Sequence, residues 1–355
     1  MSKNALKSTS MVNSFKLNQN GLTLIELLIS ITVGLLVVLA ATGLVVSTKK
    51  LFLSQTEGNE TQDTTRFALD NISRSVRQAG YVNYDFVNSV KITPSTASAD
   101  IVGMDADSVS ATSDDISSPK GSSVNFSDLL AIRFFGSGVI NPKDPKVVFD
   151  DTSMSNCAGF SVPEPVSSNT ADQDRGWSIY YVANDAKGEP ELFCKYYSSD
   201  SGKWSAQALV RGVESFQVLY GVDTSNPKDG TANQFLTATA VNALDAALVL
   251  DGNTADERAK DLNRKTFWKK ITEIKVALLV SGAQNSRQDE AKTTYDLFGA
   301  GYASTSSGVD KGTTVKDADI PESRRNRIRK VYNATIQVRN VCDVDPNRDT
   351  CRSPN

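Results

Sequence analysis

Gly21 and Glu26 are the residues whose types and spacing point most directly to chemistry, and it is chemistry done on this chain. Residues 21–26 read Gly-Leu-Thr-Leu-Ile-Glu and open an apolar run reaching Val46 in which Glu26 is the only charge. A carboxylate near the start of such a run costs about 2.5 to 3.5 kcal/mol even on lenient insertion scales, so a plain membrane anchor would lack it. Other chemistries are excluded by composition. The chain has no histidine, which removes a Ser-His-Asp triad, a Cys-His dyad and any imidazole metal site. It also has no G-x-x-x-x-G-K-[ST] loop for a nucleotide-driven motor. No cofactor and no metal are expected. Cys157, Cys194, Cys342 and Cys351 all lie beyond the apolar run, and an even number without a C-x-x-C spacing favours disulfides. Four cysteines allow three connectivities. The pairs nearest in sequence, Cys157 with Cys194 and Cys342 with Cys351, are preferred; other pairings and reduced buried thiols are the alternatives.

The apolar run must hold Glu26 in place, and it has the dimensions of a membrane span. From Leu22 to Val46 a helix is about 37 Å long, enough to cross a hydrocarbon core of about 30 Å. Ser47-Thr48-Lys49-Lys50 comes next, with no A-x-A-like site for the usual signal peptidase. The leader carries Lys3, Lys7 and Lys16 and no acid, which keeps that end in the cytoplasm and translocates the chain beyond Val46. Met11 is a second candidate start that keeps Lys16. Removing residues 1–21 takes the formal charge from -3 to -6, and a mildly acidic chain is not a general nucleic-acid binder.

Beyond the span the hydrophobic period changes twice. Phe67/Ala68/Leu69, Ile72, Val76 and Ala79 recur at three and four, giving one apolar helical stripe that Gly80 stops. Residues 54–66 lack an apolar face and include Gly58, yet a continuous helix from Leu22 to Gly80 is the expectation. Strands are predicted over 129–135, 146–149, 177–183, 191–197, 213–220, 271–281 and 328–339, rich in Val, Ile, Phe and Tyr and in several cases alternating. Helical patches are predicted over 240–250 and 255–269. Residues 93–127 and 282–326 are Ser/Thr/Gly/Asp-rich and unpatterned, and read as long surface loops or poorly ordered insertions. The acids of Asp105 to Asp115 read as a solvated loop. Arg324, Arg325, Arg327, Arg329 and Lys330 form a basic run that either grips phosphate or an acidic partner or is the solvated entry to a strand. Asp343 to Asp349 begins like a calcium loop, but Arg348 stands where the turn glycine belongs.

Gly21-Leu22 with an acid five residues past the glycine strongly resembles the processing signal of type IV prepilins. The resemblance implies that a prepilin peptidase cuts between Gly21 and Leu22 and methylates the new Leu22 amine. Glu26 then pairs with a neighbouring subunit's amine during assembly, turning a costly charge into a register device. Gly34 and Gly43 fall within the helix as weak points where it could stretch. Residues 66–81, 209–223, 276–280 and 335–340 look like landmarks of PilW-type minor pilins. That resemblance implies an α+β, type IV pilin-like fold: a long N-terminal helix, its first half transmembrane, packed on an antiparallel sheet. It divides the chain into a leader (1–21), a transmembrane half-helix (22–46), a periplasmic amphipathic helix (47–80) and a globular domain (81–355) with long loops at 93–127 and 282–326. The implied function is non-enzymatic: priming of pilus assembly, from the inner membrane and then at the pilus tip. The implied partners are the peptidase, other minor pilins and the major pilin. A 275-residue globular part would crowd the lattice of a repeating subunit. A type II secretion pseudopilin, an anchored periplasmic enzyme and an adhesin are the alternatives.

Overall fold

The computed structural model describes residues 21, 23–81, 95–141, 143–165, 172–225, 228–287, 293–306, 308–340, 343–345 and 350–352. The chain separates into two units, Met1–Leu53 and Ser54–Asn355. Leu22 and Cys342 lie outside the described residues.

The first unit holds the beginning of helix α1 (Leu24–Gln78). Its hydroxyls turn back onto the helix: Ser30 donates to the Glu26 carbonyl, Thr32 to Ile29, Thr42 to Leu39 and Thr48 to Leu44, at 2.7 to 2.9 Å. Every polar side chain so bonded is satisfied internally, which is what an apolar surround demands. The helix runs unbroken through Gly34 and Gly43, so neither glycine acts as a break here.

In the second unit, α1 continues through Gly58. Ala68, Ile72, Val76 and Ala79 are fully buried, as their spacing predicts. The buried stripe extends N-terminally through Thr61 and Thr65, whose hydroxyls donate to the Glu57 and Thr61 carbonyls at 2.6 and 2.7 Å. This backward bonding hides their polarity and explains why the segment shows no apolar face in sequence. Phe67 leaves the stripe and is 50% exposed. Gly80 ends the helix at φ +66°, with its N–H donated to the Arg133 carbonyl; a Cβ there would meet the Asn340 carbonyl oxygen at 2.6 Å.

Two antiparallel sheets close around this half of the helix. Strands β1 (Ile101–Met104), β2 (Leu129–Phe134), β5 (Gly176–Asn184), β6 (Pro190–Ser198) and β7 (Lys203–Arg211) form one, ordered β1-β2-β5-β6-β7. Between β2 and β5 lies a separate pair, β3 (Gly138–Asn141) with β4 (Asp144–Asp150). The second sheet is ordered β13-β10-β8-β9 from β8 (Val213–Val222), β9 (Gln234–Leu236), β10 (Ile271–Ser281) and β13 (Arg329–Gln337). Its connections carry helices α2 (Ala238–Ala246) and α3 (Ala255–Lys265) and one 3-10 turn at Phe267–Lys270. Ile72 and Val76 of the helix share one core with Leu130, Ile132, Tyr180 and Leu192 of the first sheet and Phe216, Val218, Ile274 and Val276 of the second.

The stretch 282–326 is not a poorly ordered insertion. It contains β11 (Thr294–Asp296), α4 (Ala300–Ser306) and β12 (Thr314–Lys316), and Leu297, Val315 and Ile320 cover Ala277 and Leu279 on the outer face of β10. Likewise 93–127 supplies β1 and lays Val109 and Ile116 on the outer face of the first sheet. The apolar residues doing this are single and widely spaced, so no period announces them. A short terminal hairpin, β14 (Asp343–Asp345) with β15 (Thr350–Arg352), sets Val344 opposite Cys351. The rest of the calcium-like segment and the Cys342–Cys351 pairing lie outside the described residues.

Candidate functional site

The signal residues stand at a bare helix start. Gly21 is exposed, and nothing lies within 4 Å of where its Cβ would be. Thr23 begins the helix: its hydroxyl accepts the Glu26 N–H at 3.3 Å and its carbonyl accepts the Leu27 N–H at 3.2 Å. Glu26 therefore sits in the first turn, where a carboxylate is favoured by the helix dipole. No described residue pairs with its side chain. The apolar neighbours are open as well, with Leu24 78% and Leu39 70% exposed. The helix is long and apolar enough to cross a membrane.

In the globular unit the Cys157–Cys194 disulfide is formed. Cys194 lies on β6, facing the core, and Cys157 lies in the segment before β5, its N–H donated to Ser178 Oγ at 2.9 Å and its carbonyl receiving Asn71 Nδ2 at 3.0 Å. The staple thus fastens that segment to both the sheet and α1.

The basic run is internal bracing. Arg329 Nε and Nη2 grip both Glu214 oxygens at 2.6 and 2.9 Å, with both side chains buried. Arg327 holds Glu189 in the same forked manner at 2.7 and 2.8 Å, and this holds the Glu189 carboxyl below its ordinary range. Arg325 donates to the Ile320 and Ala318 carbonyls. The acids of residues 105–115 are also employed. Asp105 accepts the Ala238 and Thr239 N–H groups at 2.8 and 2.7 Å, capping α2. Asp107 accepts from Ser108 and Gly121.

Sequence reading missed a cleft at one end of the first sheet. Arg133 of β2 lies directly opposite Trp177 of β5, and Tyr197 of β6 opposite Trp204 of β7. Ile179 pairs with Lys195, and two steps along both strands come Trp177 and Tyr197. Four strands therefore contribute one row, Arg133-Trp177-Tyr197-Trp204, on one face. A cavity of about 740 Å³ opens over it. The alternation that could have signalled it is hidden, because β7 is an exposed edge strand whose Ala206, Gln207 and Ala208 carry no strand pattern, and no strand is predicted there.

The chain's relatives fit the N-terminal geometry. A model of the prokaryotic N-terminal methylation motif matches residues 16–42, and the type IV pilus-assembly protein W (PilW) model matches residues 179–340. The chain is thus similar to the type IV pilus-assembly protein W family over residues 179–340 and to methylated prepilins at its start. The second match runs from within β5 through β13 to Asn340, and so takes in β6 and β7 of the first sheet and the whole of the second. No protein of curated function matches the chain. A type IV-like pilin from Thermus thermophilus aligns at 12% identity over 78% of this chain and 96% of its own, with a TM-score of 0.30, too low to carry an argument about this PilW-like fold.

Proposed function

We propose that this PilW-like chain is a non-enzymatic minor pilin, cut between Gly21 and Leu22 by a prepilin peptidase and methylated on the Leu22 amine. It is held in the inner membrane by α1 with its globular part in the periplasm. With other minor pilins and the major pilin it primes pilus assembly and takes a place at the tip. The observation that carries this reading is Glu26, a lone carboxylate on an apolar helix with no described partner of its own. An amine brought by a neighbouring subunit would neutralise it. The match to a pilus-assembly family favours the pilus over a secretion pseudopilin.

The test is Glu26→Leu as the sole copy. An anchor would gain, since the change removes an intramembrane charge worth about 2.5 to 3.5 kcal/mol. A pilin subunit would insert and be processed, its mature mass lacking residues 1–21 and carrying one added methyl group, yet fail to support surface piliation. Full piliation by the mutant, or a wild-type mass retaining the leader, refutes the assignment.

A further inference from the structure

The cleft over the Arg133-Trp177-Tyr197-Trp204 row has the features of a built binding site. Its volume, about 740 Å³, falls inside the range of about 300 to 1,000 Å³ typical of small-molecule sites. Its floor is aromatic, and Tyr197 is a large ring left 45% exposed. Trp204 meets Trp177 at 65° and Tyr197 at 68°, with centroids 5.8 and 5.6 Å apart. The rings make a stepped wall, which suits a chain of puckered rings better than a flat stack.

The opposite wall is held rigid. Val162 and Pro163 cross the end of the sheet against Gly136 and Gly176, where a Cβ would lie 2.1 Å from the Val162 and Pro163 carbonyl oxygens and 2.8 Å from Val162 Cγ1. Only glycine permits that approach. Five residues before Val162, the Cys157–Cys194 disulfide fixes the same segment.

Charge decides the ligand class. The two guanidiniums on the cleft are already paired: Arg175 with Asp100 and Asp172, and Arg133 with Asp172 at 3.7 Å and with the Ser98 hydroxyl. Arg133 also lies over the Trp177 ring at 4.4 Å, and Lys195 Nζ, 5.1 Å over Trp204, donates to the Asp115 carbonyl at 2.6 Å. The acids Asp115, Glu164 and Asp174 also line the walls. A polyanion such as single-stranded DNA needs cations along its path and would meet carboxylates instead. A cationic ligand would find the two indoles already engaged by protein cations. What fits is an uncharged molecule with apolar ring faces and many hydroxyls, which aromatic rings, carboxylates, Gln173 and Ser161 can bind together.

We infer that this cleft binds a short neutral oligosaccharide, with Trp204 and Tyr197 as its stacking rings. The experiment uses the full chain in a zwitterionic detergent without a sugar headgroup and follows tryptophan fluorescence during titration with chitohexaose, cellohexaose or maltohexaose. The three probes separate N-acetylated chains from plain glucose chains. A saturable change with at least one hexasaccharide, weakened about tenfold or more by Trp204→Ala and retained by Trp204→Phe, is expected. If Trp204→Ala lowers the melting temperature, Tyr197→Ala, at an exposed ring, carries the same comparison by calorimetry. No saturable binding of any of the three sugars overturns the inference, as does undiminished binding by both alanine variants. A response to a single-stranded oligonucleotide with none to sugar also overturns it.

Discussion

Arg329 of β13 and Glu214 of β8 show how a charge pair buried across the intervening β10 behaves. Their side chains are 0% and 1% exposed, and Arg329 also donates to the Arg324 and Arg327 carbonyls at 2.6 and 3.1 Å. Arg329→Met leaves Glu214 charged, buried and alone, which should cost about 3 to 5 kcal/mol in chemical denaturation. Adding Glu214→Gln to the same chain should recover part of that loss; a double mutant no better than the single would show that packing, not charge, dominates. Asp310 is a buried acid of the opposite kind. Its carboxylate accepts the Tyr302 hydroxyl at 2.8 Å, but burial and the nearby Asp105 push it up to about 6. An unfolded aspartate titrates near about 3.9, so the native state holds this proton more tightly. The stability from that proton is fully present below about pH 4 and is lost as the pH rises through 6. Asp310→Asn should therefore raise stability at pH 7 by about 1 to 2 kcal/mol relative to pH 4, read as a flatter melting-temperature profile between those pH values. An unchanged profile would mean the group ionises freely.

At the scale of elements, the segment before β5 depends on a covalent link. Residues 151–165 contain no named strand or helix, and are held by the Cys157–Cys194 staple, the Asn71 and Ser178 hydrogen bonds and the glycine contacts. The disulfide closes a separation of 37 residues. Replacing both cysteines by serine should cost about 2 to 5 kcal/mol, less if the large core compensates. Proteolysis should then begin within residues 151–165 while β10 and β13 stay protected in hydrogen exchange. Uniform loss of protection would show that the staple supports the whole fold. Element legibility obeys the same division. Strands β2, β5, β6, β8, β10 and β13 were readable because their inner faces carry dense branched and aromatic residues. Strand β7 was not, because an edge strand needs an apolar face on one side only and β7 supplies it with alanine. Strand β1 was not, because Ile101–Met104 is too short to show a period.

At the scale of the whole chain, the candidate site was legible only in part. The Gly21-to-Glu26 signal and the apolar run are local properties, written in adjacent residues, so the sequence alone determined them. The same holds for the apolar stripe of α1, where the period of 3.6 is written in consecutive residues; the pairing of Cys157 with Cys194 is preferred among three connectivities, and the fold decided it. Tertiary structure decided the rest. It placed Arg327 and Arg329 of the basic run inside the protein by bringing Glu189 and Glu214, far away in sequence, against them. It made the acids of residues 105–115 into a helix cap and turn braces. It also assembled the aromatic cleft, whose four row residues come from four strands and acquire a common face only through register. Interactions closed within one or two helical turns can be read from the chain; those that need strand pairing across dozens of residues exist only once the sheet has formed.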